Sequence, residues 1–175
     1  MARLFIAFLV LVAATIAALA GDVDICRTNR GEAAMAACDR IIESSQSTHK
    51  DVGTALIDRG QQFYENKNYE NAIADFTRAM TYNPPYVQLA YGNRGNCYYM
   101  KEDDGTAIED YTRAIEIDDQ YVAAYAARGL LYEKAGKIKK ARADFEQALE
   151  SKSIFSDAKW GHDTAREHLK KLNGE

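Results

Sequence analysis

Concentrated positive charge is the first thing this 175-residue chain lacks. Its 22 lysines and arginines are outnumbered by 26 aspartates and glutamates, for a formal net charge of -4, whereas phosphate binding needs clustered basic residues. Nucleic acid is therefore excluded as the expected partner. Gly-rich phosphate loops, nucleophile elbows and zinc-ligand spacings are missing as well. The three histidines, His49, His162 and His168, are scattered; a step of six residues puts His162 and His168 on different faces of a helix, which gives no metal pair. They read as lone surface histidines. The acidic run Glu102-Asp103-Asp104 lacks the alternating ligands and following glutamate of a calcium loop and reads as a solvated turn. No cofactor, metal or catalytic activity is expected from these residues.

Long apolar runs are absent too, with one exception. Arg3 precedes an unbroken apolar stretch from Leu4 to Ala14, and Ala18-Leu19-Ala20 follows. A basic start, an apolar centre and a small-x-small end describe a secretory signal over residues 1–20, with cleavage expected after Ala20. A retained membrane anchor is the competing reading, since about seventeen apolar residues sit at the lower edge of what spans a bilayer. Cys26 lies too far past the small residues to be a lipidated position. Losing Arg3 with the signal shifts the formal charge to about -5, and the remaining length suits one domain with an ordinary core. The expected location is the periplasm or the exterior, with no stable membrane insertion after cleavage.

Cysteine is scarce, and export makes its pairing a question. Cys26 and Cys38 are close in sequence, while Cys97 stands alone. An oxidising compartment favours a Cys26–Cys38 disulfide, which in the chain-entropy view contributes roughly 3 kcal/mol for a loop of this size. The alternative is that both are small buried hydrophobes. Cys97 has no neighbouring histidine to activate it and reads as a buried inert thiol.

What the chain has in abundance is repetition. Gly60, Gly95 and Gly129 recur in step with Leu56, Tyr91 and Tyr125 and with Phe63, Tyr98 and Tyr132. Ala72, Ala107 and Ala141 recur with Phe76, Tyr111 and Phe145 and with Ala79, Ala114 and Ala148. The period is 35 and then 34 residues, the signature of a solenoid. Both triplets are spaced i, i+4, i+7, so each unit is a pair of helices presenting one stripe apiece. Short polar links carrying Gly or Asn join the two helices of each pair, which makes them antiparallel neighbours. A mid-helix glycine costs about 1 kcal/mol relative to alanine, so three of them imply close approach; the expected contact is each glycine on the small Ala72, Ala107 or Ala141.

The pattern L/Y-x3-G-x2-Y/F followed by A-x3-F/Y-x2-A resembles the tetratricopeptide repeat family over residues 53–155, and the signal makes the chain similar to small exported bacterial members. The resemblance implies an all-α, right-handed α-solenoid of three antiparallel helix pairs, at residues 53–87, 88–121 and 122–155. Pro84 fits the family's proline after the second helix, Asp119 and Ser153 depart from it, and Pro85 is one residue extra. In residues 21–52, Ala34, Cys38 and Ile41 repeat the second-helix stripe, so this segment reads as a degenerate half-repeat and cap. Residues 156–175 hold Trp160, Ala165, Leu169 and Leu172 in an amphipathic pattern, most simply a capping helix, with Trp160 as a partner anchor the sharper reading.

Arg59, Arg94 and Arg128 precede the glycines, and Asp75, Asp110 and Asp144 precede the second-helix aromatics; recurrence at fixed phase argues for structural ion pairs. In the family this chain resembles, ligands lie in a concave groove lined by the first helices. Carried over position by position, the groove comprises Ile57, Gln61, Tyr64, Asn93, Asn96, Tyr99, Met100 and Leu130, with Glu133 and Lys134 beside them. Amides there suit a peptide backbone and tyrosines its side chains; a solvated polar face is the plainer alternative. Some members clamp acidic chain termini with lysines and arginines, but the matching positions here hold Ile57, Ala123 and Ala127. The function expected is a non-catalytic adaptor or scaffold that binds a peptide or partner protein. The alternatives are a self-associating envelope component, with the chain forming a homo-oligomer, or the accessory subunit of an enzyme.

Overall fold

The computed structural model describes residues 18–174, and every regular element among them is a helix. Two compact units divide the chain after Pro85. The first holds α1, described over residues 18–28, then α2 (Glu32–Glu43), α3 (His49–Glu65) and α4 (Tyr69–Thr81). The second holds α5 (Val87–Met100), α6 (Asp104–Ile117), α7 (Val122–Lys134), α8 (Ile138–Glu150) and α9 (Ala158–Asn173). Most of the expected signal sequence, residues 1–17, lies outside the described residues. Helix α1 runs through the Ala20–Gly21 bond, so cleavage there leaves a helix that keeps Val23, Ile25 and Cys26. No helix among the described residues is long and apolar enough to cross a membrane.

Local sequence explains where the helices start. Thr48 and Asp51 form a reciprocal capping box on α3, in which the Asp51 amide donates to Thr48 Oγ1 at 3.2 Å and the Thr48 amide donates to Asp51 Oδ2 at 3.1 Å. Asp103 caps α6 by accepting from the Thr106 amide at 3.1 Å. The turn inside each pair reverses through one left-handed residue at the same phase, Lys67 (φ 60°), Glu102 (φ 62°) and Gly136 (φ 70°). Only the third is glycine; the other two bear the cost of a Cβ in that conformation, about 1 kcal/mol each.

The helix pairs α3/α4, α5/α6 and α7/α8 close on one contact. A Cβ at Gly60 would lie 2.8 Å from Phe76 Cε1, one at Gly95 2.8 Å from Tyr111 Cε1, and one at Gly129 2.7 Å from Phe145 Cε1. This corrects the expectation of glycine on alanine. The ring, four residues past the alanine, reaches back and lies edge-on against the bare α-carbon, while Ala72, Ala107 and Ala141 are fully buried beside it. In α2 the stripe Ala34, Cys38, Ile41 is buried as expected, with Cys38 where the ring would stand. The Cys26 and Cys38 sulphurs are within bonding distance, their α-carbons 4.9 Å apart, and both are buried in a cluster with Ala37, Ile41 and Ala55. Cys97 is buried in α5. At the far end Ala165 is buried and Leu169 and Leu172 pack on the Phe145 cluster, whereas Trp160 faces solvent.

The recurring arginines and aspartates meet within each pair in two-pronged geometry. Arg59 reaches Asp75 at 2.7 and 2.7 Å, Arg94 reaches Asp110 at 2.8 and 2.7 Å, and Arg128 reaches Asp144 at 2.8 and 2.8 Å. The aspartates are buried, and the guanidinium groups sit near aromatic faces, Arg128 at 5.7 Å from Tyr125 and 5.8 Å from Tyr132. Burial turns a modest surface pair into one whose halves need each other. Replacing Asp110 with alanine strands a buried guanidinium, and urea unfolding should show a loss of about 3 kcal/mol. The double substitution Arg94→Met with Asp110→Leu should recover most of that loss.

Candidate peptide-binding groove

The expected groove residues fall in both units. In the first, α3 carries Ile57, Gln61 and Tyr64. Ile57 is buried, 8% exposed, and so contributes floor rather than a free side chain. The Gln61 amide donates to Glu65 Oε1 at 3.2 Å. Tyr64 is partly buried with its ring 5.7 Å from that of Tyr69. Asp58, adjacent to Ile57, escaped the sequence reading. Burial pushes its carboxyl up to about 6, against the attraction of Arg27 and Arg30.

In the second unit α5 supplies Asn93, Asn96, Tyr99 and Met100, and α7 supplies Leu130. Tyr99 and Met100 are each 46% exposed, and Asn93 and Leu130 are partly buried. Asn96 has a structural duty, since its Oδ1 accepts from the Tyr111 hydroxyl at 2.7 Å. The ring that covers Gly95 is thus held from its own partner helix, α5. Lys134 Nζ lies 5.9 Å from the Tyr99 ring centroid and 2.6 Å from Asp104 Oδ2. The acidic turn is therefore tied to α7 rather than simply solvated.

Leu130, Glu133, Lys134, His168 and Lys171 line a cleft of about 310 Å³ between α7 and α9. Lys171 Nζ is 2.8 Å from Glu133 Oε1, and His168 Nδ1 meets Glu133 Oε2. Burial raises the Glu133 carboxyl, but Lys171 and His168 outweigh it and hold the group below its usual value. His162 Nε2 lies 3.1 Å from the Ser151 carbonyl. Neither histidine is the lone surface group expected: His162 ties α9 to the end of α8, and His168 ties it to α7.

Sequence reasoning also missed an aromatic series at the end of each repeat. Tyr86, Tyr121 and Phe155 recur at the repeat spacing, which was the available signal. The Phe155 ring meets Tyr86 at 5.6 Å and Tyr121 at 5.4 Å, both edge-on. Tyr121 fills the space that a Cβ at Gly92 would need, and its hydroxyl donates to Asp157 Oδ2 at 3.2 Å. Burial pushes the Tyr121 phenol and the Asp157 carboxyl up. No group of three or more metal-ligating side chains converges among the described residues.

Asp58 has a direct thermodynamic signature. Its native pKa of about 6 stands above that of an unfolded aspartate, about 3.9, so the native state binds the extra proton between these values. Stability is then fully helped below about pH 4 and falls as pH rises through 6. Asp58→Asn should remove this slope and stabilise the chain at pH 7.5 by on the order of 2 kcal/mol, read from denaturant titrations between pH 4 and 7.5.

Tetratricopeptide repeat profiles match residues 54–86, 89–121 and 122–154, and no curated protein matches in sequence. The second repeat domain of Spaghetti (RPAP3), solved bound to the HSP90 peptide SRMEEVD, is 32% identical over 57% of this chain and 92% of that chain, with a TM-score of 0.54. The Arabidopsis OM64 TPR domain is 28% identical over 69% and 98%, TM-score 0.57. The second TPR domain of human RPAP3, in complex with the HSP70 peptide SGPTIEEVD, is 28% identical over 65% and 98%, TM-score 0.52. The profiles fall on the three helix pairs that the glycine-ring contact closes, and the chain belongs to the tetratricopeptide repeat family.

Proposed function

We propose that this protein is an exported interaction module that binds a peptide or an extended segment of a partner protein along its first helices and carries out no chemistry. The observation that carries this reading is the face of α5, where exposed Tyr99 and Met100 follow the partly buried amides of Asn93 and Asn96 within two turns, and Lys134 of α7 lies 5.9 Å from the Tyr99 ring. Aromatic and thioether surface next to amide donors suits an extended chain, which offers side chains and backbone carbonyls together. Similar domains bind HSP90 and HSP70 peptides, which supports a peptide or protein partner for this one. An acidic tail is disfavoured as the ligand, because Ile57, Ala123 and Ala127 occupy the positions that carry the clamp cations in such members. Self-association is the second reading, favoured by the 83% exposure of Ile154 and the 49% exposure of Trp160 near the carboxyl end.

A photo-crosslinking residue at position 99 should trap a partner in intact cells, while one at the exposed Glu109 on α6 should not. Equal trapping at both positions, or only copies of the same chain trapped at 99, would reject the groove assignment. Export is supported by the basic, apolar and small-residue order of residues 1–20 and by the pairing geometry of Cys26 and Cys38. Protein recovered from outside the cytoplasm should begin at Gly21, and unreduced peptide mass spectra should contain Cys26 crosslinked to Cys38. A free thiol pair in that material would end the disulfide proposal.

A further inference from the structure

Asp58, Gln61 and Glu65 are spaced i, i+3, i+7 and make one stripe on α3. Two of the three are carboxylates; Arg30, in the α1–α2 link, meets Glu65, and Asp58 lies near enough to feel the charge of Arg27 and Arg30. Arg30 Nε donates to Glu65 Oε2 at 3.1 Å, and the Gln61 amide steadies the other oxygen of the same carboxylate at 3.2 Å. Asp58 lies in the field of Arg27 and Arg30, with no hydrogen bond contributing to its ionisation. Arg27 itself holds Asp24 at 3.0 Å. The neighbouring charges are committed elsewhere, Asp39 to Arg59 and Asp22 to Arg40.

A partly buried carboxylate without a donor costs stability at neutral pH, and such groups concentrate where a ligand is received. Gln61, at the centre of the stripe, is one of the expected groove positions, and the stripe's charge is opposite to that of a clamp for acidic tails. We infer that Asp58, Gln61 and Glu65 form a receiving site for an arginine-bearing peptide segment, and that Arg30 of the chain occupies it in the absence of that partner, with the charge of Arg27 close by. This rests on the peptide-binding reading above. Guanidinium suits the site better than ammonium because its planar fork offers several donors at fixed geometry to a pair of carboxylates. The internal occupant is replaceable: the Arg30 and Glu65 side chains are 55% and 42% exposed, and exposed pairs of this kind hold weakly.

The test uses the full chain and a synthetic peptide of residues 25–31 carrying Cys26→Ser, titrated by calorimetry. Its control is the same peptide with alanine at both arginine positions. Combining Arg27→Ala with Arg30→Ala in the protein vacates the stripe and should tighten binding of the arginine peptide at least tenfold over the unmodified chain. The alanine peptide should not bind. Adding Glu65→Gln, or Asp58→Asn with Glu65→Gln, should weaken the arginine peptide at least tenfold while circular dichroism stays unchanged. The inference is overturned if the vacated protein binds both peptides alike, binds neither, prefers the acidic peptide SRMEEVD, or ignores the carboxylate substitutions. Crosslinks from position 99 separate the two levels: if they persist, only the arginine site has failed, and if they too are lost, so has the peptide-binding reading.

Discussion

An α-carbon with no side chain, pressed against the edge of an aromatic ring, is the contact on which each helix pair depends. Gly60 under Phe76, Gly95 under Tyr111 and Gly129 under Phe145 leave less than 3 Å for a Cβ, so the two helices approach closely enough for the alanines beside the ring to be sealed from water. Close packing of this kind tolerates little change in volume. It also sets the phase of everything else. The arginine before each glycine and the aspartate before each ring are brought to hydrogen-bonding distance by the same approach, and the aromatics one turn from each arginine flank its charge. In the leading hairpin the ring is replaced by Cys38, whose sulphur lies within bonding distance of that of Cys26.

Most of this architecture was legible in the sequence because a repeat states its own constraints three times. The helix pairs, the degenerate stripe of Ala34, Cys38 and Ile41 and the arginine-aspartate partnership all followed from phase. What phase could not supply was the depth of a contact. Spacing was read as Gly95 on Ala107, whereas the geometry puts the Tyr111 ring there. Likewise phase matched the arginines to the aspartates without showing that the aspartates are buried.

The candidate site was less legible, for a physical reason. Residues that vary between repeats leave no periodic signal, so Asp58 beside Ile57 and the tie of Glu133 to His168 and Lys171 went unnoticed. Asn96, read as a ligand donor, also has a structural duty that phase did not show: its oxygen accepts from the Tyr111 hydroxyl. The series Tyr86, Tyr121 and Phe155 was periodic and could have been found; it was overlooked because it lies in the links, where polar residues were expected to dominate.

The left-handed turns at Lys67, Glu102 and Gly136 have a consequence for how this protein can change. They lie on exposed links, away from the ring contacts, and two of the three hold a strained conformation that glycine adopts freely. Stability can therefore be raised at Lys67 or Glu102 without touching the first-helix faces. A lineage altering its binding surface, at some loss of stability, has in these turns a separate place from which to recover it. Recognition and robustness are thereby free to evolve on different residues.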